Sequence, residues 1–184
     1  MMHEDRERPG RRPQNRRDPA QVHGPAGPTA PSTHLVVGFD RHNASHVALD
    51  VAIGLALALD AHLHVAHVID NDDLPIDPDA ADWERVITEV VADERAQACA
   101  KLAALPGNWT YHAHHGNPAQ LLSSIADAHD ASMIVIGAPR HGVMSLVERL
   151  LGESVSAQLI HHGHRPVLLV PEHTPASARL QRNN

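Results

Sequence analysis

Two groups of residues in this chain have types and spacings that could do chemistry. The first is the stretch IVIGAPRHGVMSLVERLLGESVS, residues 134–156, where an apolar run reaches Gly137 and further glycines stand at Gly142 and Gly152 ahead of Ser154 and Ser156. Glycine lets the backbone approach a ligand closely, and the free N–H groups at a helix start attract anions. Such a stretch is either a phosphate cradle or a connection that needs flexible residues. The second group is histidine, 17 residues in all. His62/His64 and His112/His114 have the i, i+2 spacing that puts two imidazoles on one strand face, as a metal site would need. No carboxylate or thiol spacing accompanies them, so in a chain this biased toward histidine the favoured reading is surface residues and no metal site. The single cysteine, Cys99, falls in a helical pattern, has no CxxC partner, and excludes an intramolecular disulfide. It is read as packing.

The 184 residues leave room for one domain of ordinary size. No apolar run approaches the roughly 20 residues of a membrane span, and no hydrophobic signal segment opens the sequence, so a cytoplasmic protein with no membrane partner is expected. A net charge of −7, with two tryptophans, one tyrosine and one phenylalanine, counts against specific nucleic-acid binding. Residues 1–33 are rich in Pro, Gly and Arg and lack apolar periodicity, which predicts a disordered basic tail. Its arginines (Arg6, Arg8, Arg11, Arg12, Arg16, Arg17) outnumber Glu4, Asp5, Glu7 and Asp18, and a solvated extension is the simplest reading. Residues 172–184 are expected to form a second, flexible tail.

Between the tails, strands and helices alternate. HLVVGFD (34–40) reads as a strand, and Val47, Val51, Leu55 and Leu59 then recur at the spacing of one helix face. HLHVAHVID (62–70) is a second strand, and an acidic, Pro-containing loop follows it. Ile87, Val90, Val91, Ala98, Leu102 and Leu105 then carry a long helix stopped by Pro106 and Gly107. WTYHAHH (109–115) is a third strand, followed by a helix with Asn117 as N-cap, Pro118 in its first turn, and Leu121, Leu122 and Ile125 inside. SMIVIGA is the fourth strand. A helix through Leu159 and Ile160 stops at Gly163, and RPVLLVP is the fifth strand. This alternation predicts an α/β fold, an open five-stranded parallel sheet with helices on both faces, and ligands at the carboxyl ends of the strands, beside Asp40 and Gly137.

Common nucleotide and signalling motifs are missing from those ends. No Lys-Ser or Lys-Thr follows the glycines after strand four, and no GxGxxG follows strand one. A receiver domain would need an acidic pair after strand one, an aspartate ending strand three and a lysine ending strand five; here strand three ends in His114 and His115, and strand five in Val170 and Pro171. An ATP pyrophosphatase would need a Ser-Gly-Gly loop where GFDRHNAS stands.

From residue 34 to 171 the chain resembles the universal stress protein family. The resemblance is carried by LVVGFD ending at Asp40, HVID at 67–70, GNPAQ at 116–120, IVIGA at 134–138 and SVSAQLIHHGHRPVLLVP at 154–171. It implies a Rossmann-like, HUP-type sheet in the strand order 3-2-1-4-5. In the nucleotide-binding branch of that family the loop after strand four follows G-x2-G-x9-G-[S/T], and its backbone N–H groups and hydroxyl hold phosphates. On that resemblance Asp40, preceded by Gly38 and Phe39, faces the nucleoside, the backbone of Val68 meets adenine, and Gly137 is the first glycine. Gly142 and Gly152 keep the nine-residue gap, but four residues rather than two separate Gly137 from Gly142, and Glu153 stands in the Ser/Thr position. Counting back from Ser154, Val155 and Ser156 instead, Glu153 replaces the glycine. A glutamate there repels phosphate unless it turns outward, and Arg140 and His141 would offset its charge.

The resemblance thus implies a stress-response protein that binds ATP, with or without Mg2+, or another adenine nucleotide. No catalytic base or nucleophile stands beside the loop, so slow ATP hydrolysis is the most activity expected. The alternative it leaves open is an interaction or signalling module of the same fold, acting through its dimer or its N-terminal tail. A homodimer through the edge strand at 166–170 is implied as well, since an apolar sheet edge is a pairing hazard unless covered.

Overall fold

The runs Leu35–Val37 and Ile134–Ile136 carry no alternating polar residue, which suits strands covered on both faces. A computed structural model of the chain describes residues 20–25, 27, 31–69, 83–138 and 154–174, and it places both runs at the middle of one sheet. In chain order the elements are β1 (Ala20–His23), β2 (His34–Phe39), α1 (Asn43–Leu59), β3 (His62–Ile69), α2 (Trp83–Leu102), β4 (Trp109–His115), α3 (Pro118–Ala128), β5 (Met133–Gly137), α4 (Val155–His162) and β6 (Val167–Val170). The sheet order is β1-β4-β3-β2-β5-β6. β2 through β6 are parallel and keep the expected order.

β1 is the departure. It pairs antiparallel with β4, matching Ala20 to Ala113 and His23 to Thr110. The expectation of a disordered tail over 1–33 is therefore corrected: residues 20–23 make a sixth, edge strand. Four residues of mixed polarity give no apolar period, and this strand is held by the ladder it completes, with Val22 alone packing against the core. Residues 1–19 and 175–184 of the two expected tails lie outside the described residues.

Each face of the sheet has its own core. Leu35, Val37 and Phe39 of β2 face α1 and, with Leu63, Val65 and Tyr111, meet Ala98 and Leu102 of α2. Val36, Ala66, Ile134 and Ile136 face the other way, against Leu122 and Ile125 of α3 and Leu159 of α4. The buried stripe of α1 is centred on Ala48, Ala52 and Ala56, all at most 2% exposed, and Leu59 of the expected stripe is 48% exposed. Alanines bring the helix backbone close to the sheet, which larger side chains would hold off. α2 ends at Leu102, short of the expected stop, although Leu105 still packs into the core. Asn117 caps α3 as expected, its side chain accepting from the Gln120 N–H at 3.0 Å. Among the described residues no helix is long and apolar enough to cross a membrane.

Candidate functional site

β2, β3 and β5 end together on the carboxyl edge of the sheet. The ladder matches Phe39 to His67, so Val68 lies one step on, beside Asp40. β2 and β5 match Val37 to Val135, which brings Gly137 level with Phe39. α4 runs back to the start of β6, so its first residues, Ser154 to Ser156, stand on this same edge. Gly38, Phe39, Asp40, Val68, Gly137, Ser154, Val155 and Ser156 are thus the expected site residues that the fold gathers at one end. Arg140, Gly142 and Gly152, together with His141 and Glu153, lie outside the described residues.

The turn after β2 is built by its own side chains. Asp40 Oδ1 accepts the His42 N–H at 2.8 Å, and the His42 ring nitrogen Nδ1 lies 3.3 Å from the same oxygen. Ser45 Oγ donates to the Asp40 carbonyl at 2.7 Å and accepts the Asp40 N–H at 3.0 Å. This Asx-type turn starts α1 and presents the Asp40 carboxylate, about half exposed, at the strand end. Sequence reasoning missed Ser45; its place five residues after Asp40, in the first turn of α1, was the available signal.

Gly137 is a glycine for a packing reason. A Cβ there would lie 2.7 Å from the Ala44 carbonyl carbon and 2.9 Å from its Cβ, so β5 and the first turn of α1 touch backbone to backbone. Ser154 caps α4: its Oγ accepts the Ala157 N–H at 3.3 Å and lies 3.0 Å from Ser156 Oγ. Val155 turns into the core beside Leu159. The edge therefore offers a carboxylate, two hydroxyls and the N-termini of α1 and α4, which suits a ligand with a sugar and an anionic end.

Beneath Val68, the buried His67 ties three elements together. Its Nε2 is 2.8 Å from Glu94 on α2, and its Nδ1 accepts the Tyr111 hydroxyl of β4 at 2.5 Å. Burial, then the nearby Glu94 carboxylate, pushes the Tyr111 hydroxyl well above its usual range, so it stays a donor. Burial and then the Lys101 charge lower His46, which packs edge-on against Phe39.

The reading of the histidines as surface residues is corrected: His64 and His112 are 2% and 3% exposed. Both sit on the α3 face of the sheet, His64 near the amino end of β3 and His112 at the middle of β4. An i, i+2 pair on a strand covered on both faces has nowhere to point but inward.

A profile of the universal stress protein family matches residues 31–171. The chain belongs to that family. Among related proteins, a universal stress protein of Methanocaldococcus jannaschii, MJ0531, is 30% identical over 140 residues, which is 74% of this chain and 80% of that protein. Among solved structures, a universal stress protein in complex with cAMP is 26% identical with a TM-score of 0.52, over 76% of this chain and 97% of that one. The hypothetical protein MJ0577 superposes with a TM-score of 0.58 at 22% identity, over 76% of this chain and 95% of that one. As in other universal stress proteins, the chain has a Rossmann-like sheet, and its carboxyl edge is where an open α/β sheet takes ligands.

Proposed function

We propose that this universal stress protein is a regulatory protein that binds an adenine nucleotide, ATP with or without Mg2+, at the carboxyl edge of its sheet. The observation that carries the reading is the meeting of Asp40, Val68, Gly137 and the Ser154 cap at one end of the fold. A structural relative at 26% identity was solved with cAMP, which supports an adenine ligand. Asp40 would hold the ribose, the Val68 backbone the base, and the α4 N-terminus with Ser154 and Ser156 the phosphates. Among the described residues of this edge no nucleophile is paired with a base, so the nucleotide would be held or at most slowly hydrolysed.

A second reading has its own support. Gly137 is already required by its approach to Ala44, so its presence does not need a ligand, and in the sequence Glu153 takes the Ser/Thr position of the family's phosphate-loop motif. The protein would then be an interaction module acting through a dimer or its N-terminal segment. Calorimetric titration with ATP, ADP and AMP separates the two. Micromolar binding is expected, and Glu153→Gly should tighten ATP more than adenosine, because the repulsion removed grows with phosphate charge. No heat with any of the three, in the wild type and in Glu153→Gly alike, would leave only the interaction module.

A further inference from the structure

On the α3 face, from the amino ends of β2 and β3 to the middle of β4, histidines from three strands and one helix end form a continuous cluster. His34 opens β2, His62 and His64 lie on β3, His112 on β4, and His129 follows α3. Period-2 alternation aims the strand residues to one side, and the antiparallel β1 adds Gln21 opposite His112 and His23 opposite Thr110. One string of hydrogen bonds runs from Gln21 Nε2 to His112 Nδ1 (3.1 Å), from His112 Nε2 to His64 Nδ1 (3.2 Å), and from His64 Nε2 to His34 Nδ1 (3.1 Å). Another runs from His62 Nε2 through Thr110 Oγ1 to His23 Nδ1. His129 closes the group by stacking on His64, ring centroids 3.9 Å apart.

We propose that this universal stress protein carries a second site, a transition-metal site of the zinc class formed by His34, His64 and His129. One ring nitrogen from each of the three lies within 4.8 Å of the others, and His34 Nδ1 and His64 Nε2 are already 3.1 Å apart. Two imidazoles on a tetrahedral zinc ion stand about 3.3 Å apart, so the spacing of the pair already fits; both rings must turn from their shared hydrogen bond toward the ion, and His129 must leave its stack by a movement on the order of 1 Å. His129 is the residue just past the end of α3, which leaves it that freedom. An all-imidazole set selects zinc, copper, nickel or cobalt over magnesium or calcium, and water would complete the shell. Burial first, then the neighbouring imidazoles, hold His62 and His112 down at about 4 and His64 lower still, so these rings are uncharged at neutral pH. The site lies at the opposite end of the sheet from the proposed nucleotide edge and does not depend on that reading.

The protons in the string make the proposal specific. The Gln21 amide nitrogen only donates, so His112 Nδ1 accepts, His112 Nε2–H donates to His64, and His64 Nε2–H donates to His34. A metal on His64 Nε2 displaces that proton. His64 must then carry hydrogen on Nδ1 and donate to His112, whose own Nδ1–H needs an acceptor where Gln21 now offers a donor. Metal binding therefore reverses the string, and a carboxylate at position 21 would favour the reversed, metal-ready arrangement.

The test uses untagged, full-length protein freed of metal with a chelator and titrated with ZnCl2 by calorimetry. The first equivalent should bind one zinc per chain at micromolar affinity or better. His129→Gln should weaken that step at least tenfold with an unchanged circular dichroism spectrum, and Gln21→Glu should tighten it several-fold. The gain from Gln21→Glu is a readout that loss of structure cannot imitate. The absence of a tight first equivalent, or an affinity unchanged by either substitution, overturns the proposal.

Discussion

Gly137 shows how one residue can answer to two demands. Its missing Cβ lets β5 touch the first turn of α1, and the same contact sets where the Asp40 turn stands. Gly137→Ala puts a carbon 2.7 Å from the Ala44 backbone, which only a shift of α1 relieves. A loss of about 1–3 kcal/mol is expected in urea unfolding. Gly38→Ala is the control: its Cβ would meet only side chains, Ile136 Cγ2 at 3.2 Å and Leu122 at 3.5 Å, so a loss under about 1 kcal/mol is expected. Equal losses at the two positions would mean that α1 is not anchored through Ala44. If the nucleotide reading holds, Gly137→Ala should also weaken ATP, since the displaced turn carries Asp40.

The elements differ in how openly the sequence announces them. The five parallel strands were legible because apolar runs of their length between helical periods have few other uses, and Asn117 was legible as a cap by type and place. The face of α1 was read only in part: Val51 is buried and Val47 and Leu55 pack against the core, but Leu59 is exposed and the alanines at the centre of the stripe were not weighed, although small residues are what a close helix-to-sheet contact selects. β1 left no trace in the sequence, since backbone pairing holds it and Val22 is its one side chain packed against the core. Of the proposed nucleotide edge, Asp40 and Gly137 were legible because strand ends follow from strand assignment, while Val68 and Ser154 came only through the family resemblance. The histidine cluster escaped because its members come from separate strands and meet only through the register of the sheet. Burying it has a cost that pH exposes. In the metal-free protein the folded-state pKa values of His62 and His112 lie at about 4, below the unfolded 6.5, so the unfolded chain binds more protons between those values. Stability should be full above pH 6.5 and fall as pH drops through the window toward 4, by up to about 1.4 kcal/mol per pH unit for each buried ring held neutral. Denaturant midpoints measured between pH 7.5 and 4.5 check this, and a flat profile across that range would contradict the burial of the cluster.

For the whole molecule the question is what covers β6. Leu168 and Leu169 are 37% and 40% exposed on this edge strand, with Ile160 of α4 at 61%. A paired edge would remove these side chains from water, at about 25 cal/mol per Å2 of apolar surface. Sedimentation at micromolar concentration should therefore show a homodimer, and Leu168→Lys with Leu169→Lys should return it to monomer while leaving the fold intact by circular dichroism. A wild-type monomer at that concentration would show that the edge stays uncovered.

The two margins of the sheet are unlike, and this limits how far such association can go. One ends in β6, apolar and open, and the other ends in β1, four residues long with Ala20, Gln21 and His23 exposed. Short polar margins are poor templates for another strand. If two copies pair through β6, as expected above, the sticky margin of each is consumed and only the β1 margins face outward. Growth would stop at two, and the protein would keep a greasy flank without seeding a fibre.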